Sequence, residues 1–270
     1  MAKIHPLATV SPGAKLGENV EVGPYAFIDD NVEIGDGSKI YPHATIFEYV
    51  KMGKDCAVFP GAVVGAVPQD LKFEGEVTYV EIGDRVTIRE CATINRGTAA
   101  SGKRVTKIGN DTLIMSYVHI AHDCNVGNHC ILVSYVGIAG ETVVEDWAIL
   151  GGSTVVHQFT RIGKHAMVGG GSKVNKDIPP YSLCGRDPIC YAGVNIVGLR
   201  RRGFESEVIR NIKEIYDTLY FQGFNISDAC AKIEAGFPDS PEKQEILDFI
   251  QDSKRGIVRG NNVHDKGILE

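Results

Sequence analysis

The chain has 270 residues, a formal net charge of −6 and 43% hydrophobic residues. The acidic balance gives no electrostatic footprint for nucleic acid. No apolar run approaches the roughly 18 residues of a membrane span, and the first residues lack the charged-then-apolar pattern of a signal peptide, so we expect a cytoplasmic protein.

An aliphatic residue at every sixth position dominates the first two thirds of the chain. Six residues advance an α-helix by roughly 600°, so no helix presents such a series on one face. Six is a multiple of the strand period of two, so all these side chains can point inward from short strands. The series comprises every sixth residue from Ile4 to Val64, then Ile82, Ile88 and Ile94, then, after a phase shift, every sixth residue from Ile108 to Val174.

A second column supports this interpretation, because a small residue such as Ala8 or Ala14 stands four positions after most of the aliphatics. Glycine often follows the aliphatic, as Gly17 and Gly35 do, and we expect it to supply unusual φ angles at tight corners. So dense a repeat predicts a solenoid. It is similar to the hexapeptide repeat of the left-handed parallel β-helix, which implies triangular coils of eighteen residues. Three cysteines fill the small-residue column, which favours reduced thiols: Cys56, Cys124 and Cys130.

The repeat breaks twice, and such insertions predict loops on the binding side of a solenoid. The breaks are 69–80 and 95–107, within a β-helix domain predicted over 1–198. From Asp177 the prolines and glycines predict a non-repetitive exit from the solenoid.

A C-terminal helical domain is predicted over 199–260. Ser206 is its first candidate N-cap, Ser227 starts a second helix to about Ala235, and Ser240-Pro241 starts a third that ends near Gly256. Residues 261–270 are predicted to be a disordered tail.

Because aliphatic stacks fill the prism, any site must lie outside it. Aligning coils of eighteen residues stacks Ile120, Ile138 and Val156 in one column, about 4.8 Å apart per coil. Imidazoles, carboxylates and a glycine then cluster along one edge. The candidates are His119, His122, Asp123, Gly140, Glu141, His157 and Gln158.

His122 is the candidate general base, because an unperturbed pKa near 6.5 suits removal of a hydroxyl proton at neutral pH. Asp123 or a nearby carboxylate could hold its tautomer, and the Gly140 N–H could face a developing oxyanion. No histidine pair has the five-residue separation of a β-helix zinc hydratase, so no metal site is predicted. His43, His129 and His165 are interpreted as exposed corners.

Two further clusters are candidates for substrate contact. Gly169–Gly171 predicts space for an acyl-chain groove, although corner geometry alone explains Gly169. Arg200–Arg202 fits either a solvated charge run or a clamp for a diphosphate.

Six segments resemble the acyl-[acyl-carrier-protein]–UDP-N-acetylglucosamine O-acyltransferase family, over residues 1 to about 259. The resemblance implies transfer of an (R)-3-hydroxyacyl group from acyl carrier protein to the 3-hydroxyl of UDP-N-acetylglucosamine, the first step of lipid A biosynthesis. It also implies a homotrimer with sites between subunits, and no cofactor. The segments are PQDLKF (68–73), INRGT (94–98), VHIAHDC (118–124), GGSTVVHQF (151–159), DIPPYSLCGRDP (177–188) and GVNIVGLRRRGF (193–204).

By this resemblance His122 is the catalytic base, Asp123 its supporting acid and Gly140 the oxyanion donor. Gly170 stands at the position associated with acyl length, and its lack of a side chain predicts a long hydroxyacyl chain. The other implied substrate contacts are Asp70, Lys72, His119, His157, Gln158, Asn195, Arg201 and Arg202. The chain departs from the family pattern at Glu141 (a histidine there is common), Pro188 and Val197.

Two other functional classes are compatible with a hexapeptide-repeat solenoid. One is a coenzyme-A-dependent hexapeptide acetyltransferase, or the related N-acyltransferase of the same pathway, against which the helical domain and the RRGF segment argue. The other is a non-catalytic scaffold or ice-binding face, which should show threonine ladders that this sequence lacks. Docking of acidic acyl carrier protein on the helical domain is expected to use Arg201, Arg202, Arg210 and Lys213.

Overall fold

The structure, a computed structural model, describes residues 1–260, so the predicted tail at 261–270 lies outside the described residues. Over that range the chain forms a left-handed parallel β-helix followed by helices, as the repeat predicts. Three sheets, here named A, B and C, make the three faces of the prism.

The strands are numbered in chain order and are mostly two residues long. Sheet A contains β1 (Lys3–Ile4), β4 (Glu21–Val22), β7 (Lys39–Ile40), β10 (Ala57–Val58), β13 (Thr87–Ile88), β16 (Leu113–Ile114), β19 (Ile131–Leu132), β22 (Ile149–Leu150), β25 (Met167–Val168), β27 (Ser182–Gly185) and β28 (Cys190–Val194). Sheet B contains β2 (Thr9–Val10), β5 (Phe27–Ile28), β8 (Thr45–Ile46), β11 (Val63–Ala66), β14 (Thr93–Asn95), β17 (His119–Ile120), β20 (Gly137–Ile138), β23 (Val155–Val156) and β26 (Lys173–Val174). Sheet C contains β3 (Lys15–Leu16), β6 (Glu33–Ile34), β9 (Val50–Met52), β12 (Tyr79–Ile82), β15 (Val105–Ile108), β18 (Asn125–Val126), β21 (Val143–Val144) and β24 (Arg161–Ile162).

The predicted columns are the core of the prism. Ile120 pairs with Ile138, and Ile138 with Val156, in parallel register. All three are buried, and so are members of the small-residue column such as Ala44 and Cys130. Both columns therefore point inward, and the coil length of eighteen residues is confirmed where no loop interrupts it.

The predicted reason for the glycines that follow the aliphatics is wrong for most of them. Gly65 has a positive φ of 83°, as predicted, but others such as Gly35 do not. Positive φ occurs two residues later, at non-glycine positions such as Asn19 (φ 58°) and Tyr25 (φ 61°). The glycines are required instead by the close approach of stacked coils. A Cβ on Gly35 would lie 2.6 Å from the carbonyl carbon of Gly53.

Both breaks in the repeat leave the prism between sheets B and C. The first loop, residues 67–78, connects β11 to β12, and the second loop, residues 96–104, connects β14 to β15. At the end of the solenoid β27 and β28 pair antiparallel, so the exit predicted as non-repetitive contains a hairpin.

Four helices follow within the described residues: α1 (Ile196–Arg201), α2 (Ser206–Phe221), α3 (Ile226–Gly236) and α4 (Pro241–Gln251). The boundary predicted between residues 198 and 199 therefore falls inside α1. Ser240 caps α4 as expected, by accepting from the backbone N–H of Lys243.

Three predicted helix ends need correction. The N-cap of α2 is Glu205, which makes no side-chain capping bond, so Ser206 is the first helical residue. Asn225 caps α3, because its side chain reaches the N–H of Asp228 and starts the helix one residue before Ser227. The last helix ends at Gln251 and not near Gly256.

Candidate functional site

The centre of the site is a histidine–aspartate pair at the corner between sheets B and C. His122 Nδ1 lies 2.8 Å from Asp123 Oδ2. Asp123 is fully buried, whereas the His122 side chain keeps 17% of its surface exposed. Because a carboxylate only accepts hydrogen bonds, Nδ1 carries the proton and Nε2 is left as the basic atom at the surface.

The second loop and the strand that follows it, β15, supply the remaining partners of Asp123. The Thr98 backbone N–H lies 3.0 Å from both carboxylate oxygens, and the Thr98 hydroxyl donates to Oδ2 over 2.7 Å. The Asp123 backbone N–H donates to Thr106 Oγ1 over 2.8 Å. Burial opposes ionisation of Asp123, but hydrogen bonds from His122, Ser101 and Thr98 outweigh it and lower the carboxyl pKa.

The first loop brings another carboxylate to the exposed side of the imidazole. Asp70 Oδ2 lies 3.6 Å from His122 Nε2. Glu141 stands on the next coil, 4.0 Å from Lys103 Nζ of the second loop. The hydrogen bond to Asp123 raises the pKa of His122 above its ordinary value, burial opposes the rise, and the charges of Asp123, Asp70 and Glu141 add to it.

Gly140 makes room for the ring. A Cβ at this position would lie 2.5 Å from His122 Nε2 and 2.6 Å from Cε1. Any side chain at 140 therefore pushes the imidazole out of place. Among the described residues, no hydrogen bond uses the Gly140 N–H, so this donor is available to a ligand.

The other predicted residues of this edge have separate surroundings. His119 Nδ1 contacts Thr93 Oγ1 at 2.7 Å, and burial lowers the pKa of His119. His157 and Gln158 are exposed one coil beyond Gly140. Lys72 is exposed on the first loop, and its backbone N–H donates to Asp70 Oδ1 over 3.0 Å.

Four predicted residues do not meet His122 within one chain. Gly170 lies at the corner between sheets A and B, exposed, with Gly152 O 3.0 Å from a Cβ added to it. The other three lie at the corner between sheets C and A, and they are Asn195, Arg201 and Arg202. The predicted site is therefore divided among three corners of the prism.

The corner between sheets C and A is a packed cluster. Asn195 caps α1 and donates from Nδ2 to the His165 carbonyl over 2.9 Å. Arg202 donates to Trp147 O over 2.9 Å and lies 3.3 Å from His165 Nδ1, while Arg201 is exposed.

The interpretation of His165 as an exposed corner is wrong. Its ring stacks between Trp147 and Tyr181. Burial, with help from the charge of Arg202, lowers its pKa to about 4.

Thr98 was not among the predicted site residues, although its loop was predicted to lie on the binding side. The break in the repeat does not show which of its polar residues points back at the prism. Over residues 1–260 no cluster of three or more His, Cys, Asp or Glu side chains could hold a metal ion. Over the same range no helix is long and apolar enough to span a bilayer.

Comparisons with known proteins agree on one family. Residues 177–258 match the family model described as Udp N-acetylglucosamine O-acyltransferase, domain 2, and residues 13–48 and 106–140 match the bacterial transferase hexapeptide model. The chain is 55% identical over 258 residues to the acyl-[acyl-carrier-protein]–UDP-N-acetylglucosamine O-acyltransferase of a Sulfurihydrogenibium species, covering 96% of this chain and 95% of that one. The chain belongs to the UDP-N-acetylglucosamine O-acyltransferase family.

Further members agree with this assignment. The protein of the same name from Paracidovorax citrulli is 54% identical over 263 residues, covering 96% of this chain and all of that one. The crystal structure of the Bacteroides fragilis UDP-N-acetylglucosamine acyltransferase superposes with a TM-score of 0.93 at 51% identity, covering 95% of this chain and 100% of that one. The resemblance drawn from the sequence motifs is thus confirmed.

Proposed function

We propose that this chain transfers an (R)-3-hydroxyacyl group from acyl carrier protein to the 3-hydroxyl of UDP-N-acetylglucosamine, the first step of lipid A biosynthesis. Membership of the family supports the reaction and both substrates. The observation that carries the mechanism is the His122–Asp123 pair, with the basic Nε2 at the surface.

In the proposed mechanism, His122 Nε2 takes the proton of the sugar hydroxyl as its oxygen attacks the acyl carbonyl carbon. Asp123 stabilises the imidazolium that forms. The Gly140 N–H donates to the carbonyl oxygen as it becomes negative. When the tetrahedral intermediate collapses, the carrier thiol leaves and takes back the proton from His122.

We propose that the active enzyme is a homotrimer. The division of the predicted substrate contacts among three corners supports this, because a neighbouring copy can bring its Asn195 and Arg201 to the edge that carries His122. Tyr117 and Tyr135, which are stacked in parallel and more than half exposed, offer an apolar surface for such a contact. Light scattering should give a mass near three times 29.3 kDa.

The remaining assignments are also proposals. Asp70, Lys72, His119, Glu141, His157 and Gln158 are proposed to contact the sugar or the acyl hydroxyl, and Arg202 to support the nucleotide-binding corner. Gly170, having no side chain, is proposed to admit a long acyl chain. The seven cysteines are all free thiols, which supports a reducing cytoplasmic location.

A product assay tests the reaction. Purified chain is incubated with UDP-N-acetylglucosamine and hydroxyacyl carrier proteins of several chain lengths, and the products are identified by mass spectrometry. We expect the nucleotide sugar to gain one hydroxyacyl group. Acetyl coenzyme A serves as the alternative donor, and acetyl transfer from it without transfer from the carrier protein would contradict the proposal.

A further inference from the structure

We propose that Thr98 is the positioning residue of the catalytic base, because it fixes Asp123 as an acceptor and thereby aims His122 Nε2 at the substrate. This inference rests on the proposed function, in which His122 removes the hydroxyl proton. It assigns a role to the second loop, which the mechanism above does not otherwise use.

The hydrogen bonds converge on one carboxylate oxygen. Asp123 Oδ2 accepts from the Thr98 hydroxyl at 2.7 Å, from the Thr98 N–H at 3.0 Å and from His122 Nδ1 at 2.8 Å. Thr98 and Asp123 each expose no more than 1% of their surface, so water does not take the place of these donors.

The direction of the Thr98 hydroxyl is itself set by its neighbours. The Ser101 N–H donates to Thr98 Oγ1 over 3.3 Å, and Ser101 Oγ donates to the Thr98 carbonyl over 3.1 Å. Because the hydroxyl accepts from Ser101, its own proton points to Asp123. A protonated carboxyl would add a donor where every neighbour already donates, so Asp123 stays ionised. Nδ1 of His122 must therefore be the protonated nitrogen.

The Thr98 hydroxyl affects the pKa of His122 because both groups donate to Asp123 Oδ2. Its hydrogen bond reduces the negative charge on Oδ2 that is available to stabilise the His122 imidazolium. Removing it leaves Oδ2 more negative toward the ring, so the His122 pKa rises. The base is then protonated at a higher pH, and the acidic limb of the kcat/KM profile moves to higher pH. The other charged groups facing the ring are Asp70 on the first loop and Glu141, paired with Lys103.

Two matched variants test this. Thr98→Val removes the hydroxyl and keeps the shape, and Thr98→Ser keeps the hydroxyl. For Thr98→Val we expect the acidic limb of kcat/KM to move up by about 0.5 pH unit. We also expect kcat to fall about tenfold through misplacement of the ring, with KM for the nucleotide sugar unchanged because Thr98 is buried. Thr98→Ser should remain within about twofold of the parent on all three measures.

A measurement independent of turnover keeps the two proposals apart. The histidine Cε1–H resonances are titrated by NMR, with His122 assigned from a His122→Asn variant. The His122 pKa should rise in Thr98→Val but not in Thr98→Ser. Should Thr98→Val fail to fold, Thr98→Ala removes the same hydroxyl and serves in its place.

An unchanged His122 titration and acidic limb in the variant without the hydroxyl would overturn the role of Thr98. The same holds if Thr98→Ser is as impaired as Thr98→Val. Neither result bears on the proposal that His122 is the general base. That proposal is contradicted only if a variant without the imidazole keeps its turnover.

Discussion

Replacing Gly140 with alanine should displace the catalytic imidazole while leaving the fold intact. The new Cβ would lie 2.5 Å from His122 Nε2, whereas ordinary contacts begin near 3.4 Å, so the ring must move by about 1 Å. Gly140 does not have a left-handed φ, so alanine brings no backbone strain. The atom that must yield is the tip of a side chain, so the fold is kept and the cost falls mainly on catalysis.

A shift of about 1 Å breaks the 2.8 Å bond to Asp123 and lowers the rate by about 100-fold, or about 2.7 kcal/mol of transition-state stabilisation. The matched control is Gly137→Ala, whose Cβ meets only Val155 Cγ1 at 3.8 Å. Steady-state kinetics and thermal unfolding of both variants give the comparison. Turnover of Gly140→Ala within about threefold of Gly137→Ala would show that residue 140 does not set the position of the imidazole.

Three further predictions concern charge, stability and substrate. Asp70→Asn removes a negative charge 3.6 Å from His122 Nε2 and should lower the His122 pKa, moving the acidic limb of kcat/KM to lower pH by up to about 1 unit. Glu74→Gln, on the same loop, is the control, and equal shifts in both variants would contradict the assignment. His165 is neutral in the fold with a pKa of about 4, while the unfolded chain binds the proton below about pH 6.5, so its contribution to stability is lost as the pH falls between these values. From pH 7 to pH 5 the free energy of unfolding in urea should therefore fall by about 1 kcal/mol less for His165→Phe than for the parent, after allowance for the partial exposure of the ring. Equal falls in both proteins would contradict this assignment. The open position at Gly170 predicts preference for hydroxyacyl chains longer than ten carbons, and a donor series that peaks at ten carbons would disprove it.

The architecture was predictable because a six-residue aliphatic period excludes a helix and fits short strands. Side chains that recur every sixth residue, such as Ile120, Val126 and Leu132, cannot share a face of a helix but all point inward from strands. The cause of the corner glycines was not predictable. Positive φ and close approach both favour glycine, and only the coordinates separate the two, as Gly35 shows.

The site was predictable as far as the eighteen-residue register reaches. It placed His122, Asp123 and Gly140 at one edge, and the structure brings them together. Loops have no register, so the return of Thr98 to Asp123 could not be predicted from the sequence. The surroundings of His165 were misjudged for a similar reason, since the helical domain that covers it has no fixed place in the repeat.

The comparison of His122→Ala with the parent chain tests the central claim most directly. Single-turnover transfer from hydroxyacyl carrier protein to UDP-N-acetylglucosamine is followed by mass spectrometry, with the oligomeric mass checked in parallel. We expect the variant to assemble like the parent and to form no acylated sugar. Acylated sugar formed at a rate near that of the parent would show that another group removes the proton.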